Sequence, residues 1–379
     1  MSNADATTNA IARRDMLKAA GVAGVGLAVA GAGALSAPGR VLAQAGGAGP
    51  SGAAPSPSAP ASGAPFPADV IKRPIPRTGE LVPATGLGTY LTFDTLPGAP
   101  REHLKEVMRV FWEGGGRVLD TSPLYGTGEM TVGHFATALG IADKLFVANK
   151  IWSTGDYLAD DSHAEKSFEQ SRWRLWRSGF DLMQVHSLTN VAIILPVLKA
   201  WQKEGRIRYT GVTHHEPPYF DLLASTVESM KPDVVQVRYS IANRKAEDKV
   251  LKAAANAGTA VLVNMPLDKA RLMQLVEGRP LPDFARDIGA STWSQFFLKW
   301  VISHPAVTCA IPATSNPAHA AENMGALRGP LPDLAMRERM VQHMATIPGF
   351  AELEKTPFYP GKAYPGVIGQ AQKALKERA

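Results

Sequence analysis

Cysteine is almost absent from this chain of 379 residues. The single Cys309 excludes an intramolecular disulfide and any metal site built from several thiolates. It lies in the apolar run Val307-Thr308-Cys309-Ala310-Ile311, so the sequence predicts a buried small hydrophobic side chain rather than a reactive thiol. The lack of disulfides is compatible with folding in a reducing cytoplasm.

Clustered charge is also missing. The formal net charge is +6, from 40 Lys and Arg residues against 34 Asp and Glu residues. Residues 1–45 contribute +2, four basic side chains against two acidic ones, and the remaining +4 is spread without a basic run. Binding of nucleic acid requires a clustered basic face with interleaved aromatic residues, so no nucleic-acid partner is expected.

Long hydrophobic runs are scarce, and the one near the start of the chain is typical of a targeting signal. Arg13-Arg14-Asp15-Met16-Leu17-Lys18 precedes a weakly apolar, Gly- and Ala-rich run from Ala19 to Leu35, and Ala43-Gln44-Ala45 fits a small-x-small cleavage site. This pattern resembles a twin-arginine signal, which implies a translocase partner and a periplasmic location. An uncleaved membrane helix is the alternative, but the glycines and the cleavage site disfavour a stable membrane anchor.

The amino-acid composition divides the chain into three segments. Residues 1–45 are predicted to be the signal peptide, and residues 46–68, almost entirely Gly, Ala, Ser and Pro, a disordered linker with nothing to bury. Residues 69–379 are predicted to form one globular unit. Its last part, from Leu331, holds one helical segment (Leu334–Ala345) and an aromatic tail, which we expect either to cover a pocket or to pack on the outer wall.

A β/α rhythm runs through the globular unit. After a hairpin between Ile71 and Thr85, strand-like runs alternate with helix-like segments over roughly 250 residues, the size of a (β/α)8 TIM barrel. The competing architecture is a doubly wound sheet, but no Gly-x-Gly-x-x-Gly follows the first strand, which counts against a dinucleotide-binding Rossmann domain. The predicted strands are a run near Leu87, Arg117–Asp120, Leu145–Lys150, Leu182–His186, Ile207–Thr213, Val234–Tyr239, Ala260–Met265 and Val307–Ile311.

Titratable side chains end three consecutive predicted strands. Asp120 ends the second strand with Tyr125 in the following loop, Lys150 ends the third and His186 the fourth. Each alone is explained by a structural role, such as a cap, a solvated lysine or a satisfied core histidine. In a parallel β/α protein, however, the carboxyl ends of the strands meet at one rim, where the chemistry is carried out.

This set suits proton donation to a carbonyl oxygen. A tyrosine phenol has an unperturbed pKa of about 10. A nearby ammonium is expected to lower the pKa of Tyr125, with Asp120 holding Lys150 charged and oriented, while a neutral His186 polarises the oxygen. No nucleophile stands beside a base and no carboxylate-histidine cluster suggests a metal, so covalent or metal-dependent hydrolysis is disfavoured. Hydride from a nicotinamide is the natural partner reaction.

The four residues resemble the catalytic tetrad of the aldo-keto reductases, in the family's order. Three further stretches resemble family motifs: Gly86-Leu87-Gly88-Thr89 in the first-strand cofactor loop, Asp120-Thr121-Ser122-Pro123-Leu124-Tyr125-Gly126, and Ile311-Pro312-Ala313-Thr314-Ser315-Asn316-Pro317 with Glu322-Asn323. The match covers about Pro83 to Asn323. It implies reduction of aldehydes or ketones with NADP(H), with NAD(H) as the alternative cofactor.

The resemblance also assigns binding roles by position. Tyr125 would be the general acid, Lys150 and Asp120 its tuning pair, and His186 the group that orients the carbonyl. Thr89 and Tyr90 would line the nicotinamide and substrate side, with Trp152 as a wall of the substrate pocket. The remaining assignments are to the cofactor: Thr213, Gln236 and Asn264 on the nicotinamide, and Thr314, Asn316, Glu322 and Asn323 on the adenosine half.

Three positions depart from the family pattern. Thr213-His214 replace Ser-Asn after the fifth strand, and Asn264 replaces an aromatic that stacks on the nicotinamide, an effect of about 0.5–1.5 kcal/mol. Ala313 and His319 stand where NADPH-preferring members place cations around the 2′-phosphate, and losing such charge-assisted hydrogen bonds costs roughly 1.5–3 kcal/mol. The sequence therefore predicts weakened discrimination, with NADPH slightly ahead of NADH.

The function predicted from the sequence is NAD(P)H-dependent reduction of a small carbonyl substrate. Two alternatives stay open: a barrel that binds or senses a nucleotide without catalysis, and a barrel lyase or isomerase with a phosphate site at Thr314-Ser315-Asn316. Catalysis is favoured because binding alone would not require all four members of the tetrad. The sequence does not indicate the substrate or the oligomeric state.

Overall fold

The computed structural model describes residues 66–153, 160–355 and 366–377. The predicted signal peptide and nearly all of the predicted linker lie outside these residues, as do Phe358, Tyr359 and Tyr364 of the aromatic tail. Phe66 to Ala68, which the sequence assigned to the linker, are described, and the amide of Val70 donates to the carbonyl of Pro67. In the described part of the chain, no helix is both long enough and apolar enough to cross a bilayer.

The predicted hairpin and eight-stranded barrel are confirmed. The hairpin pairs β1 (Lys72–Pro74) with β2 (Leu81–Pro83) in an antiparallel register. Eight parallel strands follow in sequential order around the sheet. They are β3 (Leu87–Gly88), β4 (Val118–Asp120), β5 (Phe146–Ile151), β6 (Phe180–Val185), β7 (Ile207–His214), β8 (Val234–Arg238), β9 (Ala260–Asn264) and β10 (Cys309–Ala310).

Hydrogen bonds between the first and last strands close the sheet into a barrel. The amide of Gly86 donates to the carbonyl of Ala310 at 2.7 Å, and the amide of Ala310 donates to the carbonyl of Ala84 at 2.9 Å. The amide of Gly88 donates to the carbonyl of Pro312 at 3.0 Å. Closure matters for function because it brings the carboxyl ends of all eight strands to one rim.

Helices cover the outside of the barrel. The first shows why: Leu104, Val107, Met108 and Phe111, at helical spacing, form its buried face against the strands. The helices of the described residues are α1 (Glu102–Glu113), α2 (Gly128–Ala138), α3 (Ser162–Leu175), α4 (Val191–Lys203), α5 (Phe220–Met230), α6 (Val250–Ala257), α7 (Arg271–Leu275), α8 (Trp293–Ile302), α9 (Pro317–Gly325), α10 (Leu334–Ala345) and α11 (Val367–Glu377).

The core has two parts, because each strand alternates its side chains between the barrel interior and the helices. The larger part lies between strands and helices. The smaller part fills the interior, where Ile75 and Val82 of the hairpin pack with strand residues such as Leu182, Leu262 and Cys309. The hairpin therefore plugs the barrel, and Cys309 is fully buried, as predicted.

The sequence missed three helices. The stretch from Asp268 to Ala290, predicted to be a long loop, contains α7 and two short 3-10 segments, Asp268–Ala270 and Asp283–Ile288. Helix α9 follows the Ile311–Pro317 motif and was not predicted, and the tail ends in the helix α11. Helix α7 has only five residues and α9 nine, which is too short for a clear helical period.

Candidate active site

A cavity of about 1040 Å³ opens at the carboxyl ends of the barrel strands. This volume is at the upper end of the range of cofactor and ligand pockets. The sequence predicted fourteen site residues, and all but Lys150 and Trp152 line this cavity. The twelve are Thr89, Tyr90, Asp120, Tyr125, His186, Thr213, Gln236, Asn264, Thr314, Asn316, Glu322 and Asn323.

Lys150 lies directly behind the cavity wall, as one half of a buried ion pair. Its Nζ contacts both carboxylate oxygens of Asp120, at 2.8 and 2.7 Å, and donates to the carbonyl of Thr121 at 2.7 Å. The side chains of Lys150 and Asp120 are 1% and 5% exposed. The register of β4 and β5 dictates this pairing, because Asp120 lies opposite Ala148 and the lysine follows two residues later on the same face.

Tyr125 is presented to the cavity by the turn that follows β4. Its ring centroid lies 5.0 Å from Lys150 Nζ, 4.9 Å from the Tyr90 ring and 6.0 Å from the His186 ring. Thr89 supports the same corner, since its hydroxyl donates to the carbonyl of Asp120 at 2.9 Å. The predicted tetrad is thus assembled at one place on the rim.

The expected effect on Tyr125 was wrong in sign. Burial raises the pKa of Tyr125 well above its ordinary value, and the negative charge of Asp120 and the nearby Tyr90 add to the rise. Burial is the largest cause, and it outweighs the effect of the Lys150 ammonium, which is paired with Asp120. Burial also lowers the pKa of Lys150, against the opposing effect of Asp120.

His186 is held neutral, as predicted. Burial lowers its pKa well below the ordinary value, and the charge of Lys150 contributes in the same direction. The Nδ1 atom lies 3.2 Å from the hydroxyl of Ser122, which also accepts from the amide of Leu124 at 3.2 Å. We assign Ser122 as the donor to Nδ1, which leaves the proton of the neutral ring on Nε2.

The three residues predicted to hold the nicotinamide form one hydrogen-bonded group that reaches Asp120. Gln236 Nε2 donates to Asp120 Oδ1 at 2.7 Å, and its Oε1 accepts from Thr213 at 3.4 Å and from Asn264 at 3.3 Å. Gln184, which the sequence did not single out, approaches the same carboxylate oxygen at 3.4 Å. Gln236 is thus tied to the catalytic carboxylate, a link that residue spacing does not reveal.

The predicted adenosine residues lie just before α9 and within it. Asn316 caps this helix, accepting from the amide of Ala318 at 2.9 Å, and its own amide donates to the Thr314 hydroxyl at 3.0 Å. Asn323 accepts from Ser294 at 2.7 Å and is buried. Glu322 lines the cavity beside them.

Trp152 is not among the residues that line the cavity in the described part of the chain. Residues 154–159, which directly follow it, lie outside the described residues. Its assignment to the substrate wall stays a prediction.

The cavity residues that the sequence did not single out include His215, Lys269 and Arg279. Lys269 and Arg279 belong to the stretch in which the sequence shows no motif. The carbonyl of Arg279 accepts from the indole of Trp293 at 2.8 Å, and Trp293 directly precedes Ser294, which donates to Asn323, so the backbone of Arg279 lies near the adenosine end. His215 directly follows the Thr213-His214 pair, and its position after a strand was the only available signal.

Within the described residues, no group of three or more His, Cys, Asp and Glu side chains is placed to hold a metal ion.

Comparison with known proteins places the chain in a family. The model of the aldo/keto reductase family matches residues 84–339. The methylglyoxal reductase YeaE of Escherichia coli is 26% identical over 268 residues, which cover 68% of this chain and 90% of that protein. The aldo-keto reductase YhdN of Bacillus subtilis is 29% identical over 189 residues, 47% of this chain and 56% of that protein.

A solved structure agrees with both the fold and the family. The aldo/keto reductase from Klebsiella pneumoniae, in complex with NADP and acetate, has a TM-score of 0.59 and 25% identity, covering 70% of this chain and 92% of that one. The chain belongs to the aldo/keto reductase family. The predicted fold and the predicted class of oxidoreductase are confirmed.

Proposed function

We propose that this protein reduces an aldehyde or ketone at the Tyr125 corner of the cavity, with NADPH as the hydride donor. The observation that carries the assignment is the buried Lys150–Asp120 pair, whose ammonium lies 5.0 Å from the ring of a tyrosine that faces the cavity. A buried ion pair is a weak source of stability. Its position beside the tyrosine therefore favours a catalytic role.

The residues of the cavity fit a dinucleotide. The volume suffices for one, and polar side chains line both ends. At the predicted nicotinamide end, Asn264 Oδ1 is buried without a hydrogen-bond partner among the described residues, which suits a carboxamide donor. When bound, NADPH supplies a hydride to the carbonyl carbon.

Tyr125 supplies the proton. Burial raises the pKa of Tyr125, which favours the protonated phenol, the form that can give a proton. A phenol of raised pKa is a weak acid, but the alkoxide that develops on the substrate oxygen is a much stronger base. Proton transfer is therefore favourable once hydride reaches the carbon, and the adjacent Lys150 ammonium then stabilises the phenolate.

His186 orients the carbonyl. With Nδ1 bonded to Ser122, the Nε2–H donates to the substrate oxygen as charge develops there. A neutral imidazole suits this role, since a cationic ring would compete with Tyr125 as the proton donor.

The test is turnover of NADPH and NADH with a panel of aldehydes and ketones, repeated with Tyr125→Phe. Substrate-dependent oxidation that is lost in the variant supports the proposal. Tight cofactor binding without turnover would instead favour a nucleotide-binding barrel. Tyr219→Phe, at an exposed tyrosine that does not line the cavity, is the matched control.

We further propose that the protein acts in the periplasm after export by the twin-arginine translocase. The support is the Arg13-Arg14 pair, the weakly apolar run after it and the cleavage pattern at Ala43-Gln44-Ala45. Because this route carries folded proteins, the cofactor is loaded before export.

The double variant Arg13→Lys, Arg14→Lys tests the route in a host with a periplasm. We expect the full-length precursor to accumulate in the cytoplasm, with the activity intact there. An unchanged periplasmic share of the protein would reject the route without affecting the proposed reaction.

A further inference from the structure

Glu129 is a buried carboxylate four residues after the proton donor Tyr125. It lies in the first turn of α2, and its side chain is 1% exposed. A carboxylate in such a place is costly unless hydrogen bonds satisfy its charge. It accepts from Asn149 Nδ2 at 2.9 Å, from the Ser171 hydroxyl at 2.6 Å and from Arg174 at 3.1 Å. One carboxylate therefore joins α2 to β5 and to α3.

Asn149 carries this connection to the catalytic lysine. It directly precedes Lys150 on β5, and because side chains alternate along a strand, Lys150 faces Asp120 while Asn149 faces the helices. The Asn149 side chain is fully buried and bonded at both ends. Its Nδ2 donates to Glu129, and its Oδ1 accepts from the backbone amide of Lys150 at 2.9 Å. The side chain of Asn149 thus ties Glu129 to the backbone of Lys150.

Tyr125 is tied to the same carboxylate through the backbone. Its carbonyl accepts from the amide of Gly128 at 2.9 Å, at the point where α2 begins. Glu129 is the next residue, so a shift at the start of α2 moves Tyr125 as well. The bond between Glu129 and Asn149 is therefore a second short connection between Tyr125 and Lys150.

The charge of Glu129 also acts on Lys150. Burial lowers the pKa of Lys150, Asp120 opposes this effect most strongly, and the negative charge of Glu129 adds to the opposition. An effect of this kind requires that the two groups lie close together, in agreement with the hydrogen bonds through Asn149.

The cluster contains its own comparison for a purely structural role. Ser171 donates to the same oxygen of Glu129, Oε1, as Asn149 does, and it is equally buried. It lies on α3, however, and is not adjacent to a member of the tetrad. If the carboxylate only holds the fold together, loss of either donor has the same consequence.

We propose that Glu129, acting through Asn149, is a positioning residue that holds Tyr125 and Lys150 at the separation that proton transfer requires. This rests on the proposed function, because it assigns the proton to Tyr125. A displacement of about 1 Å at a reacting group can cost about 100-fold in rate. The hydrogen bond between two residues outside the cavity therefore matters for turnover.

The test compares Asn149→Ala with Ser171→Ala in a single turnover of the NADPH-loaded protein with 4-nitrobenzaldehyde. We expect Asn149→Ala to slow hydride transfer about 10- to 100-fold, with the Kd for NADPH unchanged. Ser171→Ala should stay within about threefold of the wild-type rate, although each variant loses one buried hydrogen bond and urea denaturation should show similar losses of stability. If Asn149→Ala does not fold, Asn149→Ser is the milder truncation.

Glu129→Gln separates the hydrogen bond from the charge. The variant retains an acceptor oxygen for Asn149 and should therefore be faster than Asn149→Ala by about tenfold. A rate as low as that of Asn149→Ala would assign the effect to the charge of Glu129 and overturn the proposal. Equal losses of rate in Asn149→Ala and Ser171→Ala, or no loss in Asn149→Ala, would also overturn it.

Crystal structures of the wild-type protein and of both alanine variants give a readout that does not depend on turnover. The distance from Lys150 Nζ to the Tyr125 ring centroid is 5.0 Å in the wild-type protein. We expect it to change by about 1 Å in Asn149→Ala and not in Ser171→Ala. A wild-type protein without turnover would reject the proposed reaction, and this distance would still decide the positioning role: an unchanged distance in Asn149→Ala rejects it.

Discussion

At the scale of single residues, the Lys150–Asp120 pair couples catalysis to stability, because each partner is buried and each neutralises the other. Lys150→Met leaves the Asp120 carboxylate buried, with Gln236 and Gln184 as its remaining polar side-chain partners among the described residues. We expect the free energy of unfolding to fall by about 3–5 kcal/mol. Urea denaturation measures this change.

The double variant Asp120→Asn, Lys150→Met is the control for that loss. With both charges removed, most of the stability should return, while carbonyl reduction stays absent because the charge beside Tyr125 is gone. A single variant as stable as the wild-type protein would show that the pair is not buried as described.

Arg279 supplies a cation at the adenosine end that the sequence did not predict. Ala313 and His319, at the positions of the family's usual cations, line the cavity there as well. We expect Arg279→Ala to weaken NADPH binding about 3- to 10-fold, since an exposed guanidinium contributes modestly, and to leave NADH binding unchanged. Fluorescence titration with both cofactors measures it, and an equal effect on NADH would place Arg279 away from the 2′-phosphate.

At the scale of elements, the start of α9 serves both the fold and the cofactor. Asn316 accepts from the amide of Ala318, so Asn316→Ala should lower the free energy of unfolding by about 1 kcal/mol through loss of the helix cap. Asn316→Ser, which retains a capping oxygen, should recover most of that stability. Thermal denaturation compares the two variants, and equal stability would contradict the assigned cap.

His214, at the end of β7, is expected to make the free energy of unfolding fall at acid pH. Burial lowers the pKa of His214 to about 4, so the folded state holds this ring neutral while the unfolded chain takes up a proton below a pH of about 6.5. The contribution of His214 to the free energy of unfolding is therefore fully present above that pH and is lost as the pH falls towards 4. We expect His214→Gln to reduce this loss by roughly 1–3 kcal/mol, measured by urea denaturation at several pH values. Parallel pH curves for both proteins would contradict it.

Site residues that follow the apolar runs of strands could be predicted from the sequence. Site residues on the long connection after β9 could not. Asp120, Lys150 and His186 follow apolar runs, and parallel strands bring such positions to one rim. Lys269 and Arg279 lie in a stretch without an apolar period, and their direction depends on left-handed backbone at Lys269 and on an indole contact at Arg279. The sign of the Tyr125 pKa shift was missed for a similar reason, because it depends on burial and not on residue type.

At the scale of the whole molecule, closure of the barrel is what assembles the site. The hydrogen bonds between Ala310 and the segment before β3 complete the ring of strands, and the hairpin fills its base. The cavity at this rim is lined by Asp120, Tyr125 and His186 of the tetrad, by the adenosine residues and by Lys269. The alternation of eight strand-like runs with helix-like segments predicted this architecture. The shape of the cavity also depends on loops and on α11, which lie outside that alternation.

The central claim is that Tyr125 gives the proton in NADPH-dependent carbonyl reduction. Rapid mixing of the NADPH-loaded protein with 4-nitrobenzaldehyde, followed by nicotinamide absorbance, measures hydride transfer in a single turnover. We predict that Tyr125→Phe slows this step about 10²- to 10⁴-fold while the Kd for NADPH is unchanged. Hydride transfer in the variant at a rate within about threefold of the wild-type rate would contradict the account.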